Sequence, residues 1–201
     1  MTYDIFLALV GFALATSITP GPNNLMLMAS GANFGFRRTI PHMLGISLGH
    51  GFMIVLIGLG LIKLFETYPV LHTAMQILSI AYLLFLAWKI ANAAPPAEGE
   101  NAGKPFTFLQ AAAFQWVNPK ALFMALTAIT VYAPSESLGA IVAVAVTFSS
   151  VNFPSILTWV CLGQIMRRVL TNHRRLRLFN WTMAALLVAS LAMILGPVSS
   201  G

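Results

Sequence analysis

The sequence predicts an all-α, polytopic membrane protein of six transmembrane helices, built as a 3+3 inverted repeat in which helices 1 and 4 are broken. Three observations predict it. The chain has 201 residues, 58% of them apolar and 8% charged, with a mean hydropathy of +0.83. A soluble domain carries about a quarter charged residues. Those few charges fence off apolar runs near the ~20 residues needed to cross the hydrocarbon. Two helix-breaking strings, Thr19-Pro20-Gly21-Pro22-Asn23-Asn24 and Val117-Asn118-Pro119-Lys120, lie deep inside the first and fourth runs.

The first run lies between Asp4 and Arg37, with a span expected over 5–30. Its opening residues, Met1-Thr2-Tyr3-Asp4, lack the basic region of a signal peptide, so the run is expected to be kept. A second span over 40–62 and a third over 67–90 follow, separated by Lys63 and Glu66. Residues 91–104 (ANAAPPAEGENAGK) break the pattern with Pro, Gly and Glu and read as a loop. The fourth span covers 106–132, and the fifth, 137–166, is long enough to tilt or to kink at Pro154. After a basic cluster at 167–177 the sixth span covers 178–195. The whole of 1–201 reads as one transporter domain, with no room for a soluble one.

The basic residues set an orientation. Arg37, Arg38, Lys89, Lys104 and the five arginines at 167–177 fall on one side, and Lys63 with Asp4, Glu66 and Glu136 on the other. The positive-inside rule then puts both termini in the periplasm of a bacterial inner membrane. The net charge of +6 belongs to loops beside spans, so it implies contact with anionic membrane lipids and not with nucleic acid. One cysteine, Cys161, and four scattered histidines offer no metal-ligand spacing, and nothing in the sequence calls for a cofactor.

Function follows from the breaks. A proline has no backbone N–H and clashes with the preceding turn. In lipid, the freed backbone groups are tolerated only inside protein or beside a wet cavity. Matched breaks in the two halves of a transporter point to its substrate site. Three spans per half would make the second half enter the membrane from the opposite side. An amino-acid substrate needs donors for its carboxylate and acceptors for its ammonium, and a broken helix offers both. The expected site is therefore Pro20, Gly21, Pro22, Asn23 and Asn24 on one wall, and Asn118, Pro119 and Lys120 on the other. The carbonyls near Thr16, Ser17 and Ile18 would be acceptors, and Thr16, Ser17, Gln115 and Asn152 would line the path.

Lys120 stands about 15 residues from either charged end of its run, roughly 22 Å at helical rise, so it is a functional candidate by depth. It could grip the substrate carboxylate, carry a proton, or be a structural cation held by carbonyls. His50 could likewise carry a proton or be a hydrogen-bonded core residue. The Pro-Gly-Pro string could be a packing kink capped by Asn23, and Asn152 could cap carbonyls freed by Pro154. Gly45-xxx-Gly49 could pack within the bundle or across a homodimer. No acid lies in any predicted span interior, so a carboxylate proton relay is missing.

The strings Ile18-Thr19-Pro20-Gly21-Pro22-Asn23-Asn24, Gly35-Phe36-Arg37-Arg38 and Gly45-Ile46-Ser47-Leu48-Gly49 resemble the first half of the lysine-exporter (LysE-type) translocator family, which includes homoserine/threonine exporters. Residues 81–89 are similar to its third helix, 115–120 to its fourth and 174–187 to its sixth. Asn23-Asn24, the end of the third span and Lys104-Pro105-Phe106-Thr107-Phe108 are similar to the cysteine/O-acetylserine exporter branch. Ser79 departs from the glycine that the family more often shows. The resemblance implies export of small amino acids or derivatives, driven by the proton gradient. No nucleophile–base pair or metal set argues for an enzyme. A small-solute channel or a lipid flippase with the same bundle is the alternative.

Overall fold

The structure is a computed structural model that describes residues 1–61, 67–93, 104–170 and 172–190. Every regular element among them is helical. In order they are α1 (Tyr3–Ile18), α2 (Pro22–Phe34), α3 (Phe36–Leu56, continued by a π-helical turn over Ile57–Leu61), α4 (Pro69–Ala91), α5 (Phe108–Val117), α6 (Pro119–Tyr132), α7 (Leu138–Val169) and α8 (His173–Ala189). Lys63, Glu66, most of the 91–104 loop and residues 191–195 of the expected sixth span lie outside the described residues.

Local chemistry explains the ends. Thr2 and Ser137 cap the starts of α1 and α7 by accepting from Ile5 N and Ala140 N, each at 3.4 Å. Thr107 and Gln110 form a reciprocal capping box on α5. Pro22 and Pro119 occupy the first turn of α2 and α6, where a missing N–H costs nothing. The last helix starts at His173, so Arg174, Arg175 and Arg177 sit in its opening turns and not in a loop before residue 178. Asn172 makes that start by accepting from Arg174 N at 2.9 Å.

Among the described residues three helices are long and apolar enough to cross a membrane: Phe36–Leu61, Thr73–Ala91 and Leu138–Val169. The pair α1–α2, bent by 55° at its break, counts as a fourth. In α5 and α6 the break leaves pieces of 10 and 14 residues, each short of a bilayer alone. α7 runs unbroken through Pro154 for 32 residues, roughly 48 Å, and so outreaches the hydrocarbon. Leu48, Phe52, Phe123 and Val146 are all more than half exposed on the outside of the bundle. An exterior as apolar as the interior fits lipid as its solvent.

Helix α2 lies along α7, α3 on α5 and α7, and α4 on α8. The closest approaches are made by glycine. A Cβ on Gly31 would strike the Val160 carbonyl and one on Gly163 the Met28 carbonyl, so α2 and α7 meet backbone to backbone. Gly45 and Gly49 do the same against Phe108 and Ala112, so that stripe packs inside the bundle against α5. Buried side chains form one cluster around Leu9, Met53, Ala125 and Phe148 and another around Leu27, Ile46 and Ile156. A cavity opens where they meet.

Candidate functional site

The two breaks, far apart in sequence, cross at this cavity. The α1–α2 break runs through Thr19 and Gly21, both extended, and the α5–α6 break is the single extended residue Asn118. Gly21 and Asn118 are the N-cap residues of α2 and α6, and neither supplies a side-chain cap. Helix geometry therefore leaves the amides of Asn23, Asn24, Lys120 and Ala121 without intrahelical partners at two positive helix ends.

Two side chains join the breaks. Lys120 Nζ donates to Thr19 O and to Thr19 Oγ1, both at 2.8 Å, and to Pro20 O at 3.4 Å. Asn23 Nδ2 donates to Gln115 Oε1 at 2.8 Å, and Gln115 Nε2 returns a bond to Asn23 Oδ1 at 3.2 Å. Asn23 and Lys120 stand at the same register, directly after the first-turn proline of α2 and of α6. Lys120 reaches across to the α1–α2 break, and Asn23 to the segment before the α5–α6 break. Gly21 makes room for this, since a Cβ there would sit 2.8 Å from Lys120 Cδ.

The carbonyls at the end of α1 are taken by the protein. Thr16 O accepts from Thr19 Oγ1 at 2.9 Å, and Ile18 O from Trp159 Nε1 at 3.2 Å. Ser17 O accepts from Asn24 Nδ2 at 2.7 Å and from Ser155 Oγ at 2.8 Å. Asn24 Nδ2 also reaches Thr19 O at 2.8 Å, so Asn24, not Asn23, stitches the break. The acceptors left over are side-chain atoms. Ser17 Oγ, His50 Nδ1 and Asn118 Oδ1 are buried with no hydrogen-bond partner. His50 Nε2 lies 3.1 Å from the Ala121 carbonyl, which can only accept, so Nε2 carries the proton and Nδ1 is a bare lone pair.

Of the residues expected from sequence, Thr16, Ser17, Gly21, Asn23, Asn24, His50, Asn118, Lys120 and Asn152 line the cavity. Pro20, Pro22, Pro119 and Gln115 stand behind it and shape the breaks. Sequence reasoning missed Ile46, Met124 and Ile156, which supply its apolar wall. It also missed Ser155 and Trp159 as caps of the α1 carbonyls. The one available signal was Ser155 next to Pro154, a polar side chain on a buried stretch of α7. The cavity volume of ≈ 20 Å³ is room for about one water. Among the described residues no group of histidine, cysteine and acids could hold a metal.

The sequence that builds this crossing has relatives among known proteins. The LysE type translocator family matches residues 14–196. The chain belongs to that family. Proteins named cysteine/O-acetylserine efflux protein from Escherichia coli O9:H4 (strain HS), Escherichia coli (strain K12) and Shigella sonnei (strain Ss046) are each 31% identical over 193 residues, covering 94% of this chain and 96% of theirs. No solved structure matches it. This LysE-type protein is thus a multi-pass membrane translocator and not an enzyme.

Proposed function

We propose that this LysE-type translocator is a bacterial inner-membrane exporter of small neutral amino acids or their derivatives, of the cysteine/O-acetylserine or homoserine/threonine kind. The crossed pairing of Lys120 with Thr19 and of Asn23 with Gln115 carries the reading. Equivalent residues of two breaks, each reaching for the other, are what a twofold axis in the membrane plane would generate. The pairing therefore supports six spans in a 3+3 inverted repeat, with the substrate at the crossing. Basic residues on one side support cytoplasmic loops there and periplasmic termini. The names of the relatives favour the same substrate class.

A zwitterion suits the groups on offer. Its ammonium would donate to His50 Nδ1, Asn118 Oδ1 and Ser17 Oγ, which lack other partners. Its carboxylate would take the Lys120 ammonium and the first-turn amides of α2 or α6. Among the described residues no carboxylate lines the cavity. A second cationic group, as in lysine, would find no counter-charge there. Export then requires the cavity to open alternately to each side. Proton antiport would use His50, whose Nδ1 has no other partner, while the Lys120 ammonium stays on Thr19 and Pro20 until a carboxylate competes for it. Counterflow in proteoliposomes with cysteine, O-acetylserine, threonine, leucine and lysine tests the proposal. Saturable exchange of the small neutral compounds over lysine is expected. A channel gives no counterflow, and transport confined to lipid would point to a flippase.

A further inference from the structure

A second cleft opens at the other end of α2, among the basic residues. Met26, Ala29, Phe34, Ile90, Ala93 and Phe106 wall it, from α2, the end of α4 and the segment before α5. Lys89 and Lys104 also line it. Ser30 and Asn33 complete its floor, already hydrogen-bonded to Thr39 and Asn180. Two of its walls carry cations on their ring faces. Lys89 Nζ lies 5.0 Å from the Phe106 centroid, and the Arg38 guanidinium 5.5 Å from that of Phe34. Neither acid among the described residues faces it: Asp4 opens α1, and Glu136 lines a cavity at the far end of α3. Glu98 and Glu100 lie outside the described residues.

We propose that this cleft is a binding site for an anionic phospholipid, which sets its phosphate between Lys89 and Lys104 and its glycerol and first methylenes against the apolar walls. Charge complementarity decides the occupant. The described rim is wholly cationic, and the walls are apolar. A soluble phosphate would use the first and leave the second exposed, whereas a zwitterionic headgroup brings an ammonium that the lysines repel. The cleft lies at the level of the basic loops, where an inner leaflet presents its anionic headgroups. The inference rests on the membrane-spanning reading, not on the substrate assigned to the central cavity.

The test is lipid retention by the purified full-length protein, read by native mass spectrometry with phosphatidylglycerol and phosphatidylcholine of matched chains. Wild type should retain the anionic lipid about tenfold better. Lys89→Gln and Lys104→Gln should each weaken that retention about fivefold, and together bring it to the level of phosphatidylcholine. Arg174→Gln with Arg175→Gln, a charge change of the same size on α8, should leave the preference intact. Ala93→Phe, which fills a wall and keeps both lysines, should also weaken retention. Equal loss in the α8 variant would mean diffuse surface charge and overturn the site. Unchanged retention in the double lysine variant, or displacement of the lipid by millimolar glycerol 3-phosphate, would overturn it too. Transport is not part of the readout, so failure here leaves the exporter reading standing.

Discussion

Lys120 Nζ and the Thr19 carbonyl oxygen, 101 residues apart in the chain, lie 2.8 Å from each other. The contact joins the start of one half-helix to the negative end of another, so a cation sits where the α1 dipole favours one. In the structure the lysine is thus tied to the break between α1 and α2. A substrate carboxylate can recruit it only by competing with Thr19 and Pro20.

Removing this tie should be costly. Lys120→Met keeps most of the volume and deletes charge-assisted hydrogen bonds worth about 1.5–3 kcal/mol. Counterflow per folded protein should fall about ten- to a hundredfold. Lys120→Arg should rescue in part, since a planar fork cannot copy a compact ammonium. Thr19→Val deletes the hydroxyl contact but keeps the carbonyl, so its loss should be several-fold smaller. Full activity in Lys120→Met would remove the residue from the mechanism.

His50 should separate coupling from binding. His50→Gln places an amide near Ala121 O that can still donate there, but it cannot take up a proton as Nδ1 can. Counterflow needs no net proton movement and should survive at reduced affinity, while efflux driven by a pH gradient should be lost. Equal loss of both would make His50 a binding residue only. Unchanged efflux would rule out His50 as the proton carrier.

The Asn23–Gln115 pair predicts non-additivity. Asn23→Ala should leave the buried Gln115 Oε1 unpaired, and Gln115→Ala the half-buried Asn23 amide. The double variant should then lose less than the sum. Interhelical hydrogen bonds in membranes average about 0.6 kcal/mol by such cycles. Thermal unfolding in detergent can read a coupling of that size. Strictly additive losses would mean that the pair does not hold the breaks together.

Topology is checked most simply at the ends. A reporter fused after Gly201 should read as periplasmic, and one inserted between Arg168 and His173 as cytoplasmic. The reverse result would overturn the orientation, and opposite sides for the two chain ends would overturn the even number of spans.

Much of this was legible because it depends on local rules. A proline has no N–H wherever it falls, so Pro22 and Pro119 announced their breaks directly. Boundaries were less legible where a charge misled. Arg174, Arg175 and Arg177 read as a loop, but a helix at the membrane edge carries its basic turns in water, and α8 starts at His173. Of the two adjacent asparagines, Asn24 turns back to cap the break and Asn23 faces the other half. That choice is set by which side of α2 faces α5, and the sequence does not state it.

By itself, then, the sequence determined the membrane class, the two breaks, and the presence of a lysine and a histidine deep within spans. Apolar runs and missing amide protons act within a few residues of where they occur. Only the tertiary structure decided how those pieces are used. It gave Lys120 to Thr19, Asn23 to Gln115, and the α1 carbonyls to Asn24, Ser155 and Trp159. Among the described residues it left His50 Nδ1, Asn118 Oδ1 and Ser17 Oγ buried without partners, on residues that line the cavity. The physical reason is distance along the chain. Partners 90 or more residues apart are chosen by how closely whole helices approach, and here that is set by glycines such as Gly31 and Gly163, where backbones meet with no side chain between them.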